Sequence, residues 1–81
     1  MKISVEISMY PLQEAYETPI LEFIERLRSH PDLVVRTNSM STQVFGEFDT
    51  LTQALTREIK TSFEGGIPSV LVMKWINIDV R

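Results

Sequence analysis

The sequence predicts an α+β sandwich of the ferredoxin-like type, and three observations carry this prediction. Apolar and polar residues alternate at the start of the chain, which is the period of a half-buried strand. Two later segments carry apolar residues at offsets of three and four, which is the period of an amphipathic helix. The order along the 81 residues is strand, helix, strand, strand, helix, strand. This order predicts an antiparallel four-stranded sheet with both helices on one face.

Prolines delimit the first strand and the first helix. Pro11 ends the strand because its ring fixes φ and removes a hydrogen-bond donor. Thr18 is predicted to cap the helix, with Pro19 at the first helical position. Glu22 and Arg26 have the spacing of an ion pair on the solvated side. The apolar stripe of this helix consists of Ile20, Phe23, Ile24 and Leu27.

The remaining elements follow from turn and cap residues. The segments "LVVRT" and "STQVFGEF" are short strands, joined by a turn at Asn38 and Ser39. Asp49 is predicted to cap the second helix, and Gly65-Gly66 to end it. The chain closes with a long strand, "SVLVMKWINIDV". The inner stripe of the second helix is predicted to consist of Leu51, Ala54, Leu55, Ile59 and Phe63.

Length and composition indicate one domain, spanning residues 1–81, that rests on a single apolar core. The chain has no cysteine and a net charge of −3, so neither a disulfide nor a thiolate zinc site stabilises it. Its basic residues are dispersed, which argues against a nucleic-acid surface. We find neither a signal peptide nor a membrane-spanning segment, and we expect a cytoplasmic protein without membrane contact.

The last strand is apolar on both of its sides. One parity carries Val70, Val72 and Ile76, and the other carries Leu71, Met73 and Trp75. A strand with one solvated side should alternate cleanly. We therefore expect the face of the sheet that the helices leave open to carry an apolar patch of Leu71, Met73 and Trp75 and to pack against another subunit, in a homodimer or homotetramer. The alternative is a chain end that twists across an edge and buries parts of each face.

Polar residues form a row on the first strand, at Glu6, Ser8 and Tyr10. They are suited to the floor of a pocket that hydrogen-bonds a small ligand, with Glu6 facing a cationic group. The alternative is a solvated outer face, which is common for Ser and Glu. The stretch "TNSMSTQ" adds short hydroxyl and amide groups, although these are also turn formers. Trp75 is suited to stacking on a ring or to packing in an interface.

Catalytic motifs are not found in the sequence. There is no glycine-rich phosphate loop, no cluster with metal-ligand spacing and no nucleophile elbow. His30 stands alone at a helix end, where a structural role suits the helix dipole. We therefore expect neither an enzyme nor a cofactor or metal site.

Two strings resemble the YkoF-like family of small ferredoxin-like proteins. These are "ISMYPL" and "RTNSMSTQVFGEFD". The resemblance includes the S-x-Y-P ending of the first strand at Ser8, Tyr10 and Pro11. The later matching positions are Thr37, Ser41, Thr42, Gly46 and the apolar Phe48. The chain corresponds to the single-repeat form of the family, whose members assemble into oligomers.

The resemblance implies binding of thiamine or of its hydroxymethylpyrimidine moiety, without turnover. Of the binding candidates, Glu6, Asn38 and Trp75 are added on chemical grounds and the others match the family's positions. Parity with Val44 places Thr42 on the helix side unless a bulge intervenes. The alternative function is a structural or regulatory oligomeric module with no small-molecule ligand. The full candidate set is Glu6, Ser8, Tyr10, Thr37, Asn38, Ser41, Thr42 and Trp75.

Overall fold

A computed structural model describes residues 1–81 and contains six elements in the predicted order. The four strands form one antiparallel sheet in the order β2-β3-β1-β4. The predicted ferredoxin-like α+β fold is therefore confirmed. The elements are β1 (Lys2–Pro11), α1 (Glu17–Arg28), β2 (Val34–Thr37), β3 (Thr42–Glu47), α2 (Phe48–Glu64) and β4 (Ser69–Ile76).

The core lies between the helices and one face of the sheet. The odd residues of β1 point into it, and so do the apolar stripes of both helices. Burial of one such side chain stabilises the fold by roughly 1.5–3 kcal/mol. Neither helix has the length and apolar character needed to cross a membrane. The fully buried side chains are Ile3, Val5, Ile7, Phe23, Leu27, Val44, Leu51 and Leu55.

Both helices begin one residue before the predicted caps. The first helix begins at Glu17, so Thr18 lies inside it, and the capping position is occupied by Tyr16 without a side-chain hydrogen bond. The second begins at Phe48, so Asp49 is its second residue. The Phe48 N–H donates to the main-chain oxygen of Met1 at 2.9 Å. This bond between the helix start and the sheet replaces the predicted cap.

The inner face of α2 differs from the predicted stripe at two positions. Phe63 was expected inside but is 52% exposed, whereas Glu58 is only 6% exposed. The Arg26 Nε–H donates to Glu58 Oε1 at 3.0 Å, and His30 Nε2 lies 2.6 Å from Glu58 Oε2. The prediction that Arg26 pairs with Glu22 on the solvated side is therefore wrong. His30, for which a structural role is expected, makes this contact from the residues that follow α1.

The two sides of β4 are assigned by its register with β1. Met73 lies opposite Ile7 and Trp75 opposite Val5, which places both on the helix side. The prediction that Leu71, Met73 and Trp75 lie on the open side is wrong, because that side carries the other parity of β4. Since α2 packs on α1 and β3, the helix side of β4 is covered at Leu71, which packs against the core, while Met73 and Trp75 stay exposed.

The five residues after β4 cross one end of the open face. The Ser4 hydroxyl donates to the Ile78 carbonyl at 2.8 Å and accepts from the Val80 N–H at 3.0 Å. Ser4 is consequently buried at 5% exposure. The main-chain N–H of Arg81 donates to Asp79 and lowers the pKa of that carboxyl. This tail lies at the opposite end of β1 from Tyr10.

Candidate functional site

A cleft opens where β1 extends beyond β3. The pairing of β1 with β3 stops at Ile7 and Thr42, whereas its pairing with β4 continues to Pro11. Residues 8–10 therefore have a neighbouring strand on only one side. The space beside them has a volume of about 150 Å³, and we call it the terminal cleft. Its polar lining consists of Ser8, Tyr10, Asn38, Ser39, Ser41 and Thr42, and its apolar lining of Ile7, Met9, Ile20, Phe23, Ile24 and Met40.

The main chain of Met9 supplies a free donor and a free acceptor to the terminal cleft. Two main-chain bonds show in which direction the N–H and C=O groups of β1 point. The N–H of Leu12 donates to the Pro68 oxygen at 2.8 Å, and the N–H of Phe48 donates to the Met1 oxygen. Because bonding direction alternates along a strand, the even residues of β1 bond to β4 and the odd ones point toward β3. At Met9 no strand lies on that side, and no hydrogen bond reaches its N–H or its oxygen.

Asn38 shapes the wall opposite β1. Its side-chain oxygen accepts from the N–H of Met40 at 2.8 Å and from the N–H of Ser41 at 2.9 Å. The main-chain N–H of Asn38 donates to the Ser41 carbonyl at 3.1 Å. Local bonds of this kind are the reason that Asn favours turns. These bonds fix the shape of the loop that lines the terminal cleft opposite β1.

The terminal cleft brings together Ser8, Tyr10, Asn38, Ser41 and Thr42 from the predicted set. Tyr10 is 52% exposed at the mouth, and Thr42 is 7% exposed. Thr42 pairs with Ile7 and lies on the helix side, as its parity predicts. It still lines the terminal cleft because the missing strand opens the sheet from one face to the other.

Glu6 stands beside the terminal cleft without lining it. Its Oε2 accepts from the Ser41 hydroxyl at 3.0 Å, which ties the loop to β1. Its Oε1 lies 3.6 Å from Lys74 Nζ. The negative charge of Glu6 is therefore partly offset by a cation on the neighbouring strand.

Thr37 and Trp75 lie apart from the terminal cleft. Thr37 accepts a hydrogen bond from the Arg28 guanidinium at 3.2 Å. Trp75 is paired with Val5 on the far side of β1 and tilts against Phe48, with ring centroids 6.4 Å apart. Trp75 does not share a surface with Ser8 or Tyr10, so the structure separates it from the other predicted ligand contacts.

The apolar walls were not predicted as part of a site. Ile20, Phe23 and Ile24 were assigned to the core from their helical spacing alone, and Met9 from strand alternation. The sequence contained no signal for this, because the two strands predicted from it have the same length; in the structure β1 has 10 residues and β3 has 6, so one end of β1 is unpaired on that side. The terminal cleft thus has apolar walls, hydroxyl groups at its rim and no charged side chain in its lining.

Comparison with solved structures identifies proteins of the same fold. A hypothetical protein from Methanocaldococcus jannascii has a TM-score of 0.81 at 24% identity, covering 99% of this chain and 84% of that one. A candidate thiamine biosynthesis/salvage protein from Thermotoga maritima has a TM-score of 0.81 at 21% identity, covering 93% and 82%. A domain of unknown function, DUF77, from Bacillus cereus has a TM-score of 0.79 at 16% identity, covering 96% and 77%.

Neither a protein-family model nor a curated protein matches the sequence. Sequence identities below 25% establish a shared fold, and a fold by itself hosts many functions. The conclusion from these comparisons is that the chain shares the ferredoxin-like architecture of these three proteins.

Proposed function

We propose that the chain binds a small molecule in the terminal cleft and does not convert it. The ligand is thiamine, hydroxymethylpyrimidine or a related metabolite, and its aminopyrimidine ring occupies the cleft. The observation that carries this proposal is the unpaired N–H and C=O of Met9 between apolar walls. The lining offers no carboxylate, imidazole or amine for acid–base chemistry, which favours binding over turnover.

The volume of the terminal cleft suits one aromatic ring. It measures about 150 Å³, and an apolar protein cavity of roughly 150 Å³ accommodates a benzene molecule. Sites for drug-sized ligands start at about 300 Å³. The pyrimidine therefore enters, and the thiazolium ring of thiamine remains at the mouth near Tyr10 and Glu6.

The hydrogen-bonding edge of an aminopyrimidine complements Met9. A ring nitrogen accepts from the Met9 N–H, and the adjacent amino group donates to the Met9 oxygen, as a neighbouring strand would. Phe23 and Ile24 supply the apolar contact for the ring. The hydroxyls of Ser8 and Ser41 are placed to bind the remaining polar groups of the ligand.

Two further observations support this choice of ligand. The strings "ISMYPL" and "RTNSMSTQVFGEFD" resemble the YkoF-like family, and they contribute Tyr10, Ser41 and most of the rim. One protein of the same fold is a candidate thiamine biosynthesis/salvage protein. Because Lys74 offsets the charge of Glu6, we expect thiamine and hydroxymethylpyrimidine to bind with affinities within about tenfold of each other.

Calorimetric titration tests the proposal. We expect hydroxymethylpyrimidine to bind and to raise the melting temperature, since a ligand at 100 times its Kd stabilises the folded state by about 2.7 kcal/mol. A pyrimidine with an oxo group in place of the amino group presents the reversed donor and acceptor pattern. It should bind at least about a hundredfold more weakly. Absence of heat and of any thermal shift at millimolar ligand would refute the proposal.

Two tyrosines with similar exposure test whether Tyr10 contacts the ligand or whether loss of any exposed tyrosine lowers the affinity. Tyr10 is 52% exposed and lines the terminal cleft, whereas Tyr16 is 51% exposed and lies outside it. Tyr10→Ala should weaken binding about tenfold, because the variant loses the aromatic surface at the mouth of the site. Tyr16→Ala should bind like the unmodified chain. Equal affinities for the two variants would exclude Tyr10 from the site.

The second candidate function is an oligomeric interaction module, a homodimer or homotetramer without a ligand. Exposed apolar side chains on both sides of β4 favour it, among them Val72 at 52% and Trp75 at 44% exposure. Sedimentation at micromolar protein without ligand tests this candidate. A monomer that binds the pyrimidine would refute this second candidate and support the first proposal.

A further inference from the structure

Met9 lines two separate cavities. The first is the terminal cleft, which has a volume of about 150 Å³. The second has a volume of about 270 Å³ and is bounded by α1, by the end of α2 and by the start of β4; we call it the rear cavity. Apart from Met9, the linings of the two cavities have no residue in common.

The two cavities lie on opposite sides of α1. Glu22 and Arg26, four residues apart, line the rear cavity, whereas Ile20 and Ile24, also four residues apart, line the terminal cleft. Residues at this spacing lie on one side of a helix, so each cavity takes one side of α1. Met9 of β1 belongs to both linings and lies between them.

The side chain of Met9 points to the helix side of the sheet. Met9 lies opposite Leu71, which packs against the core, and Met9 itself is 8% exposed. Ser69 has the same parity on β4 as Leu71 and lines the rear cavity. The Met9 side chain therefore lies at the boundary between the two cavities, while its N–H and C=O face the terminal cleft.

Hydrogen bonds hold the far walls of the rear cavity in place. The Arg26 Nε–H donates to Glu58 Oε1 at 3.0 Å, and the same guanidinium donates to Ser62. The Ser69 hydroxyl donates to a neighbouring main-chain oxygen at 3.2 Å. Met9 fills the space between these walls and the terminal cleft with an unbranched side chain, the type that adapts to irregular gaps. A shorter residue at position 9 would therefore leave a passage between the cavities.

We propose that the Met9 side chain restricts the terminal cleft to ligands with a single ring, because it separates this cleft from the rear cavity. The inference rests on the proposed function and names the residue that sets the size of the ligand. Neither cavity alone reaches about 300 Å³, the lower limit for drug-sized ligands, whereas the two together exceed it. The main chain of Met9 binds the hydrogen-bonding edge of the ring, and its side chain excludes a second ring.

Two ligands with the same hydrogen-bonding edge test this role. 4-Aminoquinazoline presents the same adjacent ring nitrogen and amino group as hydroxymethylpyrimidine, and it carries a second, fused ring. The terminal cleft has room for one ring. In calorimetric titration, 4-aminoquinazoline should therefore bind the unmodified chain at least about tenfold more weakly than hydroxymethylpyrimidine.

Met9→Ala should remove this difference. The substitution keeps the N–H and C=O of residue 9 and frees space for the fused ring, so the dissociation constant of 4-aminoquinazoline, relative to that of hydroxymethylpyrimidine, should fall at least about tenfold. The backbone amides of Ser62 and Ser69, which line the rear cavity and not the terminal cleft, should shift with 4-aminoquinazoline in this variant alone. Circular dichroism verifies folding, and Met9→Val is the second variant if Met9→Ala does not fold.

Ile24→Ala is the matched control, because Ile24 has the same 8% exposure as Met9 and lines only the terminal cleft of the two cavities. It enlarges the cleft without opening the rear cavity, so the amides of Ser62 and Ser69 should not shift. Three results would overturn the proposal: an equal relative gain in both variants, no shift of the two serine amides in Met9→Ala, or tight binding of 4-aminoquinazoline to the unmodified chain.

Failure of the proposed function is a separate result. If hydroxymethylpyrimidine does not bind the unmodified chain, the proposed function is refuted. The amide shifts that 4-aminoquinazoline causes in Met9→Ala still decide whether Met9 divides the two cavities.

Discussion

Glu58 lies between the two helices, and its carboxylate is bound by Arg26 of α1 and by His30, which follows α1. Both carboxylate oxygens are bound, one by Arg26 and one by His30. The Arg26 guanidinium also donates to the Glu58 main-chain oxygen at 3.1 Å and to Ser62. The helical spacing from Leu55 places Glu58 on the inner face, whereas a glutamate side chain is usually exposed to solvent. Only the tertiary contact with α1 explains its burial, which is why sequence patterning alone did not assign it.

Removal of Arg26 should destabilise the fold more than removal of a surface arginine. Arg26→Ala leaves the Glu58 carboxylate buried without its main counter-charge, and we expect the free energy of unfolding to fall by about 2–3 kcal/mol. Arg28→Ala is the control, because the side chains of Arg28 and its partner Glu25 are 44% and 74% exposed, and it should cost less than about 1 kcal/mol. Urea denaturation measures both values. Equal losses would show that Glu58 does not depend on Arg26.

At the scale of elements, unequal strand lengths create the terminal cleft. The sequence predicted both strands and the turn between β2 and β3, and it placed Ser8, Tyr10 and Ser41 at the correct ends. It did not reveal that Ile20 and Phe23 of α1 close the back of the site, because a helical apolar stripe looks the same whether it faces core or cleft. It also grouped Trp75 with these residues, although strand register, which a single sequence does not contain, separates them.

Asn38 should act on binding through the shape of the loop. Asn38→Ala removes the oxygen that accepts from Met40 and Ser41, so the loop loses two bonds and ligand affinity should fall about tenfold. Asn38→Asp keeps that acceptor and should restore most of the affinity. Calorimetric titration with hydroxymethylpyrimidine measures the difference. If Asp fails to rescue binding, the amide nitrogen of Asn38 contacts the ligand directly.

At the scale of the whole molecule, the two helices cover β1, β2 and β3 but leave β4 largely exposed on both sides beyond Leu71. The composition and order of elements were sufficient to predict the sandwich, because periodicity, turn residues and chain length agree with one another. The expectation that the last strand meets a covering partner stays a prediction. Composition and element order did not identify the unpaired main-chain groups of the sheet, because these depend on the direction of the N–H and C=O groups in the assembled sheet.

The direction of those same groups carries the central claim, that the Met9 main chain binds an aminopyrimidine. Backbone amide NMR during titration with hydroxymethylpyrimidine tests it most directly. We predict that the amide of Met9 shows the largest downfield shift, as expected for a newly formed hydrogen bond, and that the amides of Ser41 and Thr42 also shift. Perturbations confined to β4 or to the open face, with the Met9 amide unchanged at saturating ligand, would contradict the account.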